Sequence, residues 1–266
     1  VAVFENKGPA FGPGVGHIDQ PNGQRFGFAT NSFGRCEVVV FSPEHEGSLG
    51  AMPVERIRTV IGAWMNRTAE LQQIDGVMQV FPFENRREEI GVTLHHPHGQ
   101  IYAYPFVTPV TKKLLASVDN YSGDFFADLH AFEHGSERVI IDSENFTAYV
   151  PYAARWPVEL HLMPKRAIPD LSQLQAAEAD ELADVYKRIL SGLDKLYSGP
   201  TPYISAWHQA PMIDNRERIR LMLQITSPRR AEDKLKYLAG SESAMGAFVG
   251  DLAPEDTANR LREVIS

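Results

Sequence analysis

The stretch that decides the fold is Val80–Val107, VFPFENRREEIGVTLHHPHGQIYAYPFV. Its flanks, Val77–Phe83 (VMQVFPF) and Gln100–Val107 (QIYAYPFV), are rich in β-branched and aromatic residues and read as strands. Between them lies a polar, irregular stretch, Glu84–His96. It runs into His95-His96-Pro97-His98-Gly99-Gln100, which holds three of the chain's nine histidines. Side chains alternate along a strand, so His96, His98 and Gln100 share one face if the extended backbone reaches back that far, and His95 takes the other. Pro97 restricts His96 to extended backbone, and Gly99 lets a ligand or a neighbouring chain approach closely. A histidine nucleophile with an amide donor two residues on suits phosphorus chemistry: the imidazole nitrogen attacks while Gln100 holds a non-bridging oxygen. A run of histidines reads equally as a metal site or a polar loop.

Outward from this segment, Glu37–Phe41 (EVVVF) reads as a strand, and Pro53–Leu71 places Val54, Ile57, Val60, Ile61, Trp64, Met65 and Leu71 on one helical face. The second half repeats the order. Asn145–Val150 and Val158–Met163 read as strands, Asp170–Tyr197 as a long amphipathic helix, and Tyr203–Trp207 and Ile219–Thr226 as strands. Strand–helix–strand–strand thus occurs twice, roughly 120 residues apart, which points to an internal duplication; element bounds read this way carry an error of a few residues. Gly8–Asn31, rich in Gly, Pro, Asn and Gln, reads as a long loop. Pro254–Ile265 reads as an exposed helix with Glu255 and Asp256 in its first turn.

Composition bounds the function. The chain has 266 residues, 43% of them hydrophobic, enough for a sizeable core in one large or two small domains. A net charge of −8 without basic clusters argues against nucleic acid or a membrane surface as partner. No apolar run reaches the length of a spanning helix. The single cysteine, Cys36, excludes an intramolecular disulfide or a cysteine-pair metal site within these residues and fits a reducing, cytoplasmic setting.

HHPHGQIYA, taken with VFPFENRREEIG, resembles the galactose-1-phosphate uridylyltransferases, the transferase branch of the histidine-triad superfamily. FSPEH (Phe41–His45), VPYAARWPVELHLMPK (Val150–Lys165), YISAWHQAP (Tyr203–Pro211), KLKYLAGSE (Lys234–Glu242) and the final PEDTANRLREVI follow in the family's order. The resemblance implies an α+β fold of tandem duplicated histidine-triad-like units, with an extended antiparallel sheet and packed helices. The expected units are 1–135, carrying the nucleophile, and 136–266, degenerate but holding the hexose-binding segment. It implies a nucleotidyltransferase that moves UMP from UDP-glucose to galactose 1-phosphate through a covalent uridylyl-histidine intermediate. The alternatives are a related nucleotide-sugar or dinucleotide phosphorylase or adenylyltransferase, and a non-catalytic nucleotide-binding protein.

Residue by residue, the resemblance makes His98 the nucleophile and Gln100 the partner of the transferred phosphoryl group. The backbone carbonyl of His96 is expected to accept from the far ring nitrogen of His98. A neutral ring is needed to attack, so acid slows the reaction. Phe4 and Asn6 match the uridine-contacting strand, although Asn6-Lys7 stands where the family often has Asn-Asp. Asn85 matches a nucleotide contact, and Gly91, Val92 and Thr93 match the phosphate-binding loop. Lys236, Tyr237, Ser241, Glu242 and Phe248 match the hexose-binding segment. Read without the resemblance, Asn6 and Asn85 are equally turn residues, and Lys236 with Glu242 a solvated face. Arg86-Arg87-Glu88-Glu89 stands where the family is often rich in glycine and alanine. Its better reading is a solvated loop, with contact between Arg86 and a substrate phosphate as the other.

A structural zinc is implied at His45 and His96, but the family's cysteine pair is absent from these residues, so either the partners lie upstream of Val1 or this member holds its loop without zinc. Val1–Asn6 matches an interior strand of the family, so further chain is expected before it. At the family's second metal site this chain has Leu114, His208, Leu221 and Leu223, so no iron is expected and His208 reads as a packed or hydrogen-bonded histidine. A homodimer is implied, with basic residues from one subunit completing the phosphate site of the other. His17, His130, His134 and His161 match no functional motif.

Overall fold

The computed structural model describes residues 1–14, 23–24, 26–29 and 31–265. His17 and much of the expected Gly8–Asn31 loop lie outside these. The strands, in chain order, are β1 (Ala2–Glu5), β2 (Gly23–Gln24), β3 (Gly27–Phe28), β4 (Arg35–Val40), β5 (Gln79–Arg86), β6 (His98–Tyr104), β7 (Val139–Asp142), β8 (Phe146–Tyr149), β9 (Val158–Pro164), β10 (Tyr203–His208), β11 (Met222–Ser227), β12 (Arg229–Ala231) and β13 (Lys234–Leu235). The α-helices are α1 (Val54–Gln72), α2 (Pro109–Asn120), α3 (Phe125–His134), α4 (Ala176–Leu193), α5 (Gly240–Met245) and α6 (Pro254–Val264).

Nine strands form one sheet in the order β1-β4-β6-β5-β10-β11-β9-β8-β7, and every neighbouring pair is antiparallel. The order carries the duplication. In the first half β4, α1, β5 and β6 follow in sequence, and β6 lies between β4 and β5. In the second half β9, α4, β10 and β11 follow in sequence, and β11 lies between β9 and β10. The two three-strand groups meet as mirror-ordered halves at β5–β10, where Tyr203 pairs with Arg86, Ile204 with Asn85 and Ala206 with Phe83.

One face carries the main core. Ile57, Val60, Ile61, Trp64 and Leu71 of α1 are buried at helical spacing. From α4, Leu182, Val185, Tyr186, Ile189 and Leu193 join them, over Val39, Ile101, Leu160, Leu223 and Ile225 of the sheet. Trp64 meets Tyr186 and Trp207 with ring centroids 6.1 and 6.2 Å apart. The long helix expected over Asp170–Tyr197 is interrupted. A 3-10 turn, Leu171–Gln173, comes first, and α4 starts where the Glu178 carboxylate accepts the Gln175 N–H at 2.7 Å. On the opposite face α2 and α3 cover the β8–β9 end, packing Val118 and Phe126 onto Tyr149 and Met163 with Met222 of β11 against them, and Thr111 of α2 bonds Gln79 at the start of β5. Among the described residues the face of β6, β5 and β10 has no helix over its middle, between α2–α3 and the edge strand β1, and Phe11 packs on its Tyr102 and Tyr104 end. No helix among the described residues is long and apolar enough to cross a membrane.

The tail differs from its expected exposure. Thr257, Ala258 and Leu261 of α6 are buried, and Leu261 and Ile265 join the main core. The closest approach is at Gly192 of α4, where a Cβ would come within 2.3 Å of Ile265 Cγ1 and 3.2 Å of the Val264 carbonyl oxygen. Gly192→Ala therefore wedges α6 off α4. The expected loss is about 1–3 kcal/mol, the usual size of an overpacking penalty, and a urea midpoint equal to that of the parent protein would contradict it.

Candidate active site

His98 is the first residue of β6, opposite Val40 of β4, and it shares the open face of the sheet with Gln100. Its Nδ1 lies 2.8 Å from the carbonyl oxygen of His96. A carbonyl only accepts, so Nδ1 carries a proton, and in the neutral ring the lone pair is on Nε2. Gly99 makes this register possible: a Cβ there would meet Phe41 Cζ and the Phe83 carbonyl oxygen, both at 2.9 Å.

His96 departs from the expected shared face. It lies in a bend before β6, and its side chain turns to the Ser42 carbonyl (Nε2, 2.8 Å) and to His45, the two Nδ1 atoms lying 2.9 Å apart. The Pro97 carbonyl accepts the Phe41 N–H at 3.1 Å, so strand pairing resumes only beyond His96. The Ser42 carbonyl only accepts, so His96 Nε2 carries a proton and, in the neutral ring, Nδ1 accepts from His45 Nδ1. Two ligands do not make a zinc site. Among the described residues no group of three or more His, Cys, Asp or Glu side chains converges, and Cys36 is buried on β4 opposite Tyr102. The residues present do not fit a zinc by themselves.

Two cavities flank His98. The larger, about 480 Å³, is lined by His45, Glu84, Asn85, Arg86, Arg87 and His98 among others. The smaller, about 130 Å³, is lined by Asn85, Gly91, Val92, Thr93, Leu94, His98, Gly99 and Gln100. The structure thus brings Asn85, Gly91, Val92, Thr93 and Gln100 together around His98. Phe4 of β1 stands on the same cross-strand row as Val38 and Gln100. Asn6 Oδ1 accepts the Gly8 N–H at 3.0 Å, a local turn, while its backbone N–H bonds the Cys36 carbonyl.

The hexose segment is elsewhere. Lys236 Nζ reaches the Arg155 carbonyl at 3.2 Å and Glu242 at 3.4 Å, beside β9. β9 lies four strand positions from β6, or about 19 Å. Lys236 and Glu242 are not a solvated face: they hold the Gly240–Val249 loop from within, through bonds to the Val249 carbonyl and N–H. Ser241 Oγ donates to Ala247 O at 2.7 Å, the Arg155 guanidinium lies over the Phe248 ring at 5.5 Å, and Tyr237 is 77% exposed.

Only Arg86 leaves the expected solvated loop, while Arg87 and Glu88 are exposed. β5 continues through Glu84, Asn85 and Arg86. Arg86 bonds Asp194 at 2.6 Å and lies over the Tyr203 ring at 5.4 Å. Glu84, which sequence reasoning left unassigned, is only 5% exposed and accepts the Tyr203 hydroxyl at 3.1 Å. Burial pushes its carboxyl up to about 7, against the pull of Tyr203 and Arg86. Its signal in the sequence was a lone acid between the aromatic Phe83 and Asn85. Arg87 has φ 81° and ψ 160°, a region nearly reserved for glycine that costs on the order of 1–3 kcal/mol.

His208 is hydrogen-bonded, as expected, but with different neighbours. Leu221 and Leu223 face the helices and Leu114 packs in the α2–α3 cluster. The side chains beside His208 on its own face are Met222 and Gln224, because a one-residue step along a strand changes faces. His208 Nε2 lies 3.1 Å from Gln224 Oε1, and Gln224 Nε2 donates to Glu159 at 2.7 Å. Burial drives the His208 pKa down to about 4. His161 pairs with Glu159, His130 with the Thr147 hydroxyl and His134 with Asp142.

Both halves of the chain match one enzyme family. The model of the galactose-1-phosphate uridyl transferase N-terminal domain matches residues 1–108, and that of its C-terminal domain matches residues 117–265. A galactose-1-phosphate uridylyltransferase of Streptomyces lividans is 41% identical over 261 residues, covering 90% of this chain and 72% of its own. Its counterpart in Thermotoga maritima is 36% identical, covering 87% and 74%. A solved uridylyltransferase superposes with a TM-score of 0.90 at 28% identity, over 99% of this chain and 84% of that one. An ADP-glucose phosphorylase of Arabidopsis thaliana shares the fold, with a TM-score of 0.83 at 24% identity over 98% and 81%. The chain belongs to the galactose-1-phosphate uridyl transferase family.

The pKa of Glu84 gives a stability test. Between pH 4.5 and about 7 the folded protein holds a proton that the unfolded chain releases, so stability falls as pH rises through that window. Glu84→Gln keeps an acceptor for Tyr203 and removes the penalty. The variant is expected to match the parent protein at pH 4 and to exceed it by about 3 kcal/mol at pH 8, in urea unfolding at both pH values. A pH-independent difference would refute it.

Proposed function

We propose that this chain transfers UMP from UDP-glucose to galactose 1-phosphate through a uridylyl group carried on His98. The observation that carries the reading is the single hydrogen bond from His98 Nδ1 to the His96 carbonyl, 2.8 Å long, which leaves Nε2 as the nucleophile. Relatives named for this activity, up to 41% identical, support the choice of substrates.

In the first step Nε2 attacks the α-phosphorus of UDP-glucose. An N–P bond forms, the bond to the bridging oxygen breaks, and glucose 1-phosphate leaves. In the second a phosphate oxygen of galactose 1-phosphate attacks the same phosphorus, the N–P bond breaks, and UDP-galactose leaves with Nε2 restored. The ring becomes cationic when Nε2 is uridylylated, and the His96 carbonyl holds the Nδ1 proton against that charge. The Gln100 amide and the Thr93 hydroxyl are the donors to the phosphoryl oxygens, and Gly91 and Val92, whose N–H groups bond the Glu88 and Arg87 carbonyls, shape the loop beside them. Asn85 with Phe4 and Asn6 contacts the nucleoside.

The hexose residues Lys236, Tyr237, Ser241, Glu242 and Phe248 fit this reading as a contribution to the site of a second copy. Their own chain places them beside β9, four strand positions from the β6 that carries His98, and exposes Tyr237 and Met245 (77% and 81%) beside them. The open face of the sheet carries an aromatic cluster suited to burial in a homodimer: Phe81 stacks on Phe83 at 5.2 Å, and Phe83 meets Tyr102 edge-on at 5.1 Å. Sedimentation of the purified protein as a dimer is the expected outcome.

Incubation with UDP-glucose and no acceptor should add one uridylyl mass to the intact protein. The adduct should be absent in His98→Asn and should disappear from the parent protein on addition of galactose 1-phosphate. Steady release of free UMP marks a hydrolase, and an equal adduct from ADP-glucose marks the adenylyl relative. Binding of UDP-glucose without any adduct would overturn the covalent route.

A further inference from the structure

Arg87 is held in a backbone conformation that residues with a Cβ avoid. Among the described residues the only other non-glycine with positive φ is Asn215, at φ 56°, in the left-handed region asparagine tolerates. Such a conformation persists only when its surroundings fix it, and here they do. The residue before it, Arg86, is anchored to Asp194 and the Tyr203 ring. The Arg87 carbonyl accepts the Ile90 and Val92 N–H groups at 3.4 and 3.3 Å. A glycine would satisfy the same turn without strain, so the turn alone does not account for an arginine.

The side chain has its own placement. Arg87 lines the 480 Å³ cavity that contains His98 and Asn85. Its Nε is tethered to the Glu89 carboxylate at 3.1 Å, with the side chain 39% exposed. Glu89 is also bonded by Arg229 from the second half, at 3.3 Å. One carboxylate therefore serves two guanidiniums, and Arg87 can leave it without stranding a buried charge. A planar guanidinium beside a site for phosphate esters is matched to phosphate oxygens.

We propose that Arg87 is a substrate-binding residue: its guanidinium leaves Glu89 and engages phosphate oxygens of the nucleoside diphosphate sugar bound at His98. This rests on the reading of His98 as the uridylyl carrier. The strained backbone is kept because it aims the side chain into the cavity.

Arg87→Gly separates a functional from a structural role. The variant should melt about 2–4 °C higher through strain relief, while KM for UDP-glucose rises about tenfold to a hundredfold from loss of a charge-assisted contact and kcat changes less. Arg87→Ala keeps a Cβ in the strained region and should lose the affinity without the gain in melting temperature. Unchanged KM in both variants, or a lowered melting temperature in Arg87→Gly, overturns the inference. The uridylyl adduct on the parent protein tests the His98 reading separately. Calorimetric titration with inorganic pyrophosphate reads Arg87 whatever that outcome: weaker binding to Arg87→Gly supports the inference, and equal binding overturns it.

Discussion

The pairing of β5 with β10 is the constraint on which the rest of the molecule depends. Each half alone would end in an unpaired central strand edge, and joining them converts two small sheets into one. The join also sets the site. Arg86, Glu84 and Asn85 belong to one half, and Tyr203 and Asp194 to the other. The Glu84–Tyr203 and Arg86–Asp194 bonds stitch them at the strand ends nearest His98. The second half carries no histidine counterpart on β11, yet it supplies the buried Tyr203 hydroxyl and the Asp194 carboxylate that fix the cavity wall.

Much of the fold was legible in the sequence where one physical rule governed a segment. The β-branched run of β4 and the helical spacing of α1 and α4 each have one buried face and no competing demand. His98 and Gln100 were placed on one face by alternation alone. Asn85, Gly91, Val92 and Thr93 were placed near them by the family resemblance, and the structure brings them to the same two cavities.

The remainder depended on tertiary partners that local patterns do not encode. α2 and α3 went unread, because α2 buries only Thr111 and Val118 and α3 only Phe126 and Glu133, too few for a stripe. β5 runs into Glu84 and Arg86, whose charges read as loop until Tyr203 and Asp194 arrive from the other half. His96 fell out of the strand because its ring found the Ser42 carbonyl and His45. The placement of Lys236 and Glu242 far from His98 follows from strand order, which sequence distance does not reveal. The tail helix looked exposed because its buried side is narrow and its counterpart is a glycine, Gly192.

The acceptor that fixes the proton of His98 is a main-chain atom, the His96 carbonyl oxygen. No substitution of a side chain can delete it. A serine or carboxylate in that role could be lost by one codon change, whereas this one is lost only if the peptide plane before Pro97 rotates. Genetic damage to the nucleophile's tautomer must therefore arrive as a change of backbone shape at Pro97 or Gly99, or through the Ser42 loop that steadies His96. Variation at position 96 itself can alter what the ring holds while leaving the proton acceptor in place.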